Sequence, residues 1–406
     1  MAQSLAQRMR QWFAKGERLP LGMALTTSAG PGAWAGGGGA ADTPALPASY
    51  PARVAAAVEQ NPIAARAVRL IGEALAAAPL KVDAADAATA AHVRALVMRT
   101  SGGQTLIESL AQALLLHGDA WLQLIDRGDG TLGELYALRP DRMTLVVGED
   151  GWPFAADYRA HDAARPGSRA ARRLLLEDAR GRPSLIHLRV GHPADDHAGA
   201  GALAAAGAAI ALHNSAARWN RALIDNAARP SGALVHEAGG GVPLADAQFE
   251  RLKAEMAAQF QGSANAGRPM LLDGGLRWQP ISLTPAEMDF AALKDAAARD
   301  IACAFGVPPM LLGVPGDATY ANYAQAMKAL WRHSLLPMAA RILGGINEAL
   351  APWGHDARVS VDLDAVPELS EDRARLWEMV AGADFLSAAE KRVAVGIGAL
   401  VDEPQR

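Results

Sequence analysis

The chain has 406 residues, enough for about two or three domains, and half of its residues are hydrophobic. That share is sufficient to bury a core and excludes a wholly disordered protein. Only 5% of the residues are aromatic, so much of the apolar content is alanine. Alanine favours helices but buries little surface per residue. Long alanine-rich helices are therefore expected to need neighbours, including other subunits, to complete their burial.

Charge and cysteine content exclude further classes of protein. The chain has 39 basic and 43 acidic residues and a net charge of −4, which argues against tight, salt-sensitive DNA binding by the single chain. One cysteine, Cys303, excludes an internal disulfide and a cysteine-rich zinc site. No apolar run approaches the ~20 residues of a membrane span. Residues 1–20 are basic and mildly amphipathic, which predicts a surface helix or a frayed end, with a membrane-surface anchor as the alternative.

The first half of the chain is predicted to mix helices and strands. Residues 26–51 are rich in glycine, proline, alanine and serine and are expected to form a flexible linker. Apolar spacing predicts a helical region over 54–78, interrupted at Pro62, and an amphipathic helix over 105–117. The basic run 165–173 is interpreted as an exposed loop. The predicted strands are 80–82, 120–126, 135–138, 143–147 and 185–190.

Two long helices bracket a compact insert in the second half. The first is predicted over 203–228, and the second begins at Thr284, which has the pattern of an N-cap, and ends at Gly306. A further helix over 320–350 is expected to kink at Pro337, because proline lacks an N–H and clashes with the preceding turn. The insert and the end of the chain are predicted to contain strands at 232–236, 270–272, 278–283 and 359–363, and helices at 245–261, from Ser370 and from Ser387. The last of these helices begins with the pattern of a capping box, Ser387 followed by Glu390.

A cluster of polar residues suggests a metal site. His187, His192, Asp195, Asp196 and His197 are of the types that bind zinc, manganese or iron, so a metal-dependent hydrolase that uses His192, Asp195 and His197 is one alternative function. Their spacing is not that of a helical metal pair, and Pro193 interrupts any local helix. We favour a polar loop in which the aspartates cap the following helix and the histidines bond to backbone, because a metal site needs converging ligands.

Other reactive residues are assigned structural roles. Cys303 lies between two alanines of a predicted helix with an apolar stripe, which favours a small buried thiol over a nucleophile. Gly199 and Gly201 lie between a strand and a helix, but their spacing does not match a dinucleotide-binding turn. No catalytic group stands out, and no cofactor is expected.

Several segments resemble the portal, or head–tail connector, proteins of tailed phages and of gene transfer agents. The resemblance runs from about Val54 to Leu350 and is most similar to the gene-transfer-agent or prophage branch. The loop His192–His197 is also similar to one that precedes the family's first stem helix. The most specific segments are Leu212–Asn214, Trp219–Asn220, Ile224–Gly232, Met288–Phe290, Ala298–Ala302, Phe305–Pro309 and Thr319–Tyr323.

The resemblance implies an α+β portal-type fold with a wing, a two-helix stem, a small αβ clip, a kinked tunnel helix and a short helical crown. Residues 1–50 would be a flexible basic N-terminus and linker. The implied parts are a wing at 51–201, a first stem helix at 202–229, a clip at 230–283, a second stem helix at 284–306, a tunnel loop at 307–319, a kinked helix with the rest of the wing at 320–367, and a crown at 368–406.

The resemblance also implies a function without catalysis. Such a protein forms a homo-oligomeric ring, usually a dodecamer, at one capsid vertex of a virion or gene transfer agent particle assembled in the bacterial cytoplasm. Its partners would be the major capsid protein, the terminase large subunit, a head–tail adaptor and double-stranded DNA that passes without tight binding, but no membrane. The candidate DNA-facing residues are Val314, Pro315, Gly316, Asp317 and Thr319 of the tunnel loop.

Overall fold

The structure is a computed structural model and describes residues 45–159, 171–225, 232–236, 250–251, 276–280, 290–316 and 320–396. The first ordered helix, α1, spans Tyr50–Val54 and continues as a π-helical turn over Ala55–Glu59. Helix α2 spans Pro62–Ala76. Its proline occupies the first helical turn, where the missing N–H costs no helical bond, and the predicted interruption at Pro62 is confirmed.

Two helices complete the first helical layer. Helix α3, Ala87–Val97, was not predicted, because an alanine-rich helix carries only a weak apolar pattern. Asp86 marks its start, with Oδ1 accepting a hydrogen bond of 2.8 Å from the Thr89 N–H. Helix α4 spans Leu106–Leu116 and begins at the Thr105 cap, as predicted. Helices α2 and α4 pack together and supply much of the main core.

Antiparallel strands form the rest of this region. They are β1 Leu80–Ala84, β2 Thr100–Ser101, β3 Gln104–Thr105, β4 Asp119–Asp126, β5 Leu132–Leu138, β6 Met143–Val147, β7 Pro153–Arg159, β8 Ala171–Leu175 and β9 Leu185–Arg189. In one three-stranded sheet a central strand pairs on both sides, in the order β5–β4–β9, and a second sheet has the order β6–β7–β8. Arg172 and Arg173 lie in strand β8, where Arg173 pairs with Asp157. The loop prediction is wrong for these two arginines, while residues 160–170 lie outside the described ranges.

The chain then leaves the sheets through a small hairpin and enters the two long helices. Strands β10, Gly191–His192, and β11, Asp195–Gly199, pair with each other. Helix α5 spans Ala202–Asp225, and helix α6 spans Phe290–Ala304. In the insert between them, β12 Gly232–His236 pairs with β13 Leu276–Pro280. The predictions for 245–261 and 270–272, and for the cap at Thr284, fall on residues that the structure does not describe.

The kink prediction is confirmed and refined. Helix α7, Tyr320–Leu330, is joined to helix α8, Leu336–Leu350, by a five-residue π-helical segment, Trp331–Leu335. Pro337 lies just after this segment. Proline has no N–H to donate to the preceding turn, and the wider π-helical turn accommodates the missing hydrogen bond.

A strand near the C-terminal end of the described chain pairs with the first strand. Strand β14, Ala357–Val361, pairs with β1, two residues earlier than the predicted strand. Helices α9, Ser370–Ala381, and α10, Ala388–Ala394, follow, and neither contains a buried residue. The predicted capping box at Ser387 is confirmed, with Glu390 Oε2 accepting from the Ser387 N–H at 2.8 Å.

Burial is concentrated in one large core and one small one. The large core joins α2, α4, α8 and the inner ends of α5 and α6, and the small core lies under the second sheet around Trp121, Leu138 and Leu174. Among the described helices, none is long and apolar enough to cross a membrane.

Candidate functional site

Helices α5 and α6 pack against each other and project from the large core. Leu203, Ile210 and Ala216 of α5 are buried, as are Ala297 and Ile301 of α6. Burial then declines along both helices with distance from the core. In α5 the residues 217–222 are exposed apart from a half-buried Asn220, and in α6 residues 291–293 are all exposed. The inner ends are thus fixed to the body of the molecule, and the outer ends present exposed surface that includes Trp219 of α5 and Leu293 of α6.

A buried polar network fixes the inner end of α5. The Asn61 side-chain oxygen caps α2 by accepting from the N–H groups of Ile63 and Ala64. Its Nδ2 donates to Asn214 Oδ1 at 2.9 Å and lies 3.3 Å from His213 Nδ1. Asn214 in turn donates to the Ala56 carbonyl at 2.8 Å. Asn61, His213 and Asn214 are all buried, so one residue of the wing links the start of α2 to the first long helix.

Burial also changes the ionisation of this network. It lowers the pKa of His213, and the nearby positive charge of Lys294 on α6 lowers it further. A neutral imidazole can accept the hydrogen bond from Asn61. The Leu212–Asn214 segment carries part of the family resemblance in the sequence. Asn61 was missed, because its partner His213 lies 152 residues away.

Three glycines allow the chain to cross itself where α5 begins. Gly118 has φ +93°, and a Cβ there would lie 2.5 Å from the Gly199 carbonyl carbon and 2.5 Å from the Gly201 nitrogen. A Cβ on Gly201 would lie 2.7 Å from the Gly118 nitrogen. No side chain fits at such distances. The Gly199–Gly201 segment therefore serves backbone packing, not nucleotide binding.

The segment after α6 is held at both ends. Gly306 adopts φ +67°, and its carbonyl accepts a 2.5 Å hydrogen bond from Ser334 Oγ. A short 3₁₀ turn, Pro309–Leu312, buries Leu311 and Leu312. Arg299 Nη2, on α6, donates to the Pro315 carbonyl at 2.5 Å. The loop is thus anchored before it reaches the residues 317–319, which the structure does not describe.

This anchoring corrects one candidate DNA-facing residue. Val314 is only 6% exposed and belongs to the large core, so its side chain is not available to a channel. Pro315 and Gly316 are exposed. Asp317 and Thr319 fall outside the described residues. The aliphatic Val314 anchors the loop, and the exposed candidates that the structure describes are Pro315 and Gly316.

The histidine and aspartate cluster forms the β10–β11 hairpin. The Asp195 carboxylate accepts from the N–H groups of His197 and Ala198, each at 2.8 Å. These bonds hold the pKa of Asp195 below its ordinary value. His192 Nδ1 accepts from the Ala194 N–H at 3.1 Å. Asp195 therefore closes the hairpin, and the expectation that it caps the following helix is wrong. In the described part of the chain, no three histidine, cysteine or acidic side chains converge as metal ligands.

A different cluster, missed in the sequence, is buried between β4 and β9. Asp119 Oδ2 lies 3.0 Å from His117 Nδ1, and Asp119 Oδ1 lies 2.8 Å from His187 Nε2. His187 stacks on Trp121 with ring centroids 3.9 Å apart, and Tyr50 meets the edge of His117. The alternating positions of His117, Asp119 and Trp121 were visible in the sequence, but the pairing of β4 with β9 that adds His187 was not.

The electrostatics of this cluster favour an ionised carboxylate. Burial works to raise the pKa of Asp119, but hydrogen bonds from His117 and His187 outweigh it and hold the pKa well below its usual range. Burial lowers the pKa of His187, and the bond to Asp119 offsets only part of that effect. The cluster joins the Tyr50 segment to two strands and is a structural element of the wing.

Cys303 is exposed, contrary to the sequence-based expectation. Its neighbour Ala302 is buried and Ala304 is half-buried. Each residue of a helix is rotated by about 100° from the last, so a residue beside a buried one can face outward.

Comparison with known proteins agrees with this architecture. Residues 62–396 match the family described as phage portal protein. An uncharacterised protein of Rickettsia bellii is 36% identical over 358 residues, covering 85% of this chain and 89% of that protein. A probable portal protein of Streptomyces phage phiC31 is 27% identical over 310 residues, covering 74% of this chain and 65% of the phage protein.

Solved structures give the same assignment. A chain from the neck of a native gene transfer agent particle, computed with C12 symmetry, is 41% identical with a TM-score of 0.63, covering 87% of this chain and 94% of that one. An HK97-family phage portal protein from Corynebacterium diphtheriae shares the fold at 18% identity, with a TM-score of 0.54, and covers 80% of this chain and 99% of that one. The matches support a structural component of a particle and give no support to a metal-dependent hydrolase. The chain belongs to the phage portal protein family.

Proposed function

We propose that copies of this chain assemble into a twelve-fold ring at one vertex of a capsid, and that double-stranded DNA passes along the axis of the ring during packaging and ejection. The observation that carries the proposal is the 41% identity to a chain in the neck of a particle with C12 symmetry. The exposed outer ends of α5 and α6 support it, because neighbouring copies would complete the burial of residues such as Trp219 and Leu293. The net charge of −4 suits a conduit, since many phosphate contacts would hold the DNA in place.

The parts of the fold are assigned to the parts of a portal subunit. Residues 51–201 and 320–367 form the wing, and residues 368–406 the crown. Residues 202–229 and 284–306 are the two stem helices, which agrees with α5 and α6 projecting from the large core. Residues 230–283 form the clip, to which β12 and β13 belong, and residues 1–50 precede the wing as a basic linker.

The proposed partners follow from these parts. The clip would dock the terminase large subunit during packaging and the head–tail adaptor afterwards, and the wing would contact the major capsid protein. The antiparallel β12–β13 pair supports the clip assignment, because it returns the chain from α5 towards α6 through a small separate unit.

The test of the ring is imaging of assembled particles that carry a tag on this chain. We expect one tagged ring of twelve subunits at the neck of each particle, with the outer ends of α5 and α6 buried between copies. The purified chain alone is a weaker test, since ring formation can require the capsid. Label distributed over the whole capsid, or absent from particles, would contradict the proposal.

The tunnel loop, residues 307–319, is proposed to face the DNA through Pro315, Gly316 and the residues up to Thr319. The anchor from Arg299 to the Pro315 carbonyl supports a loop with a fixed inner end and a presented tip. Gly316→Lys adds a positive charge at that tip, where it would attract the DNA phosphates and slow translocation. We expect the yield of packaged DNA per particle to fall several-fold while rings still form.

Gly191→Lys is the matched control. A Cβ at Gly191 meets no atom within 4 Å, and the residue lies in the β10–β11 hairpin of the wing. Particles carrying it should package DNA normally. Equal DNA yields from the two variants, measured by quantitative PCR on nuclease-treated particles, would show that Gly316 does not face the channel.

A further inference from the structure

An apolar groove lies between helix α8 and strand β14, on the side of the wing next to the crown. Its volume is about 320 Å³, and it is lined by Leu336, Leu343 and Gly344 of α8, by Val361, and by Leu363 beyond the strand. Pockets that bind a ligand usually fall between about 300 and 1,000 Å³. The groove is therefore large enough to receive a few side chains of another segment.

One wall of the groove is the outer edge of a strand. On its inner edge β14 pairs with β1. On the outer edge, the Asn347 side chain bonds to both the N–H and the C=O of Val359, at 2.8 and 2.9 Å. In an antiparallel pair these groups alternate between the two edges, so the N–H and C=O of Val361 also point to the outer edge. An extended segment in the groove would meet apolar side chains together with a backbone donor and acceptor.

The chain leaves the crown close to this groove. Arg373 Nη2 donates to the Val395 carbonyl at 2.6 Å. The same guanidinium pairs with Asp364 at 2.6 Å, and Asp364 directly follows Leu363. Residues 397–406 therefore start beside the mouth of the groove. At about 3.3–3.6 Å per extended residue, the fifth of them can reach roughly 17 Å from that point.

The composition of residues 397–406 matches the groove. Leu400 and Val401 are apolar, and Asp402 and Glu403 follow them. The groove is apolar inside, and Arg358, which is exposed, lies at its edge. Aliphatic side chains would remove the lining from water, and the carboxylates would approach the one arginine among the lining residues.

We propose that residues 397–406 dock in the groove of their own chain, with Leu400 and Val401 inside it and the acidic pair towards Arg358. The docked segment would tie the crown to the wing. The match to the portal family ends at residue 396, so the docking segment lies outside the matched residues, and the contact does not depend on the proposed DNA channel.

A disulfide cross-link in the full chain tests the proposal. In a Cys303→Ser background, Gly344→Cys and Leu400→Cys would place one thiol in the groove and one on the segment. A Cβ at Gly344 meets no atom within 4 Å, so the new side chain fits. Mild oxidation should give an intrachain disulfide, seen as a faster-migrating monomer on non-reducing gels. The control pairs Leu400→Cys with Asp150→Cys, in the turn between β6 and β7, and should not cross-link.

Two other outcomes would overturn the proposal. Cross-linked dimers from the Gly344 pair would place the segment in the groove of another copy, and no cross-link beyond the control would place it elsewhere. A second measurement uses hydrogen exchange. Gly344→Leu fills the groove and should raise the exchange rate of the Leu400 and Val401 amides at least tenfold, whereas Gly344→Ala should leave it nearly unchanged. Equal rates in both variants would also contradict the docking.

Discussion

The inner and outer ends of helices α5 and α6 differ sharply in burial. Over residues 202–216, α5 carries a continuous buried face that includes Ile210, His213 and Asn214. Over 217–222 the same helix is almost entirely exposed, and Trp219 is 50% exposed. Helix α6 shows the same change, from buried Ile301 to Leu293, which is 36% exposed.

This difference separates what one chain stabilises by itself from what it leaves for other copies. The inner ends are held by a buried polar network, a crossing of glycines and aliphatic packing, all within one subunit. The outer ends are exposed and bury little area within the single chain. Changes at the inner ends should therefore affect folding, and changes at the outer ends should affect assembly.

The largest effect on folding is expected at the glycine crossing. Gly118→Ala would bring a methyl group within 2.5 Å of two backbone atoms and would also require a left-handed backbone of an alanine. We expect the free energy of unfolding to fall by more than about 3 kcal/mol, or the chain not to fold. Urea unfolding or soluble yield measures this.

Gly128→Ala separates the cost of the left-handed backbone from the cost of the close approach between segments. Gly128 has φ +98°, but a Cβ there meets no atom within 4 Å. This variant should lose only about 1 kcal/mol, the cost of the backbone conformation. If both alanine variants behave alike, the close approach of the two segments is not what requires Gly118.

The next largest effect is expected at Asn61. Asn61→Ala removes the cap of α2 and leaves the buried Asn214 side chain without its donor. We expect a loss of about 2–4 kcal/mol, since a lost cap costs about 1 kcal/mol and an unsatisfied buried group about 1–3 kcal/mol. Asp86→Ala removes only the exposed cap of α3 and should cost less, because no buried polar group loses its partner. If the loss of unfolding free energy at Asn61 is no greater than that at Asp86, the buried network does not stabilise the inner end of α5.

The sequence predicted the parts of this region that depend on local chemistry. Ser387 caps its helix, and Pro337 interrupts its helix, because the relevant groups lie within four residues of each other. Contacts between distant segments were not predictable in this way. Asn61 reads as a helix cap, and its bonds to α5 depend on how two elements pack. Helix α3 and strand β8 were missed because alanine in the one and arginine in the other hide the apolar period.

In the loop after α6, the direction of a side chain was not predictable from residue type. Val314 was expected to face DNA, yet it is buried because the 3₁₀ turn before it folds back on the core. Cys303 shows the opposite error, since its buried neighbour concealed an outward position. In both cases the direction of one side chain depends on a backbone rotation that residue type alone does not specify.

The outer ends should show the reverse behaviour, with an effect on assembly and little on folding. Leu293→Asp places a charge on the exposed face of α6, where a neighbouring copy would have to remove it from water. We expect the free energy of unfolding to change by less than about 0.5 kcal/mol and incorporation into particles to fall at least tenfold. Met98→Asp changes a comparably exposed residue of the wing and should leave incorporation intact. Normal incorporation of the Leu293 variant would exclude this face from the subunit contact.

The smallest effect is a dependence of folding on pH that comes from buried histidines. Burial lowers the pKa of His187, His213 and His355 in the folded chain, and other charges lower the last two further. Below about pH 6.5 the unfolded chain takes up protons that the folded chain does not, so stability falls as pH decreases from 7.5 to 5.5. Asp119, whose pKa is lowered, is ionised in both states over this range and contributes to the pH dependence only below about pH 4.

His355→Gln should flatten this pH dependence without removing it, because His187 and His213 remain. His197→Gln, in the β10–β11 hairpin, is the control and should leave the profile as it is in the unchanged chain. The midpoint of urea unfolding measured at pH 7.5, 6.5 and 5.5 gives the comparison. His213 belongs to the network at the inner end of α5, so acid would weaken the attachment of that end. A midpoint that stays constant over this range would mean that the inner end tolerates a charged imidazole, and the distinction between the two ends would then depend on apolar packing alone.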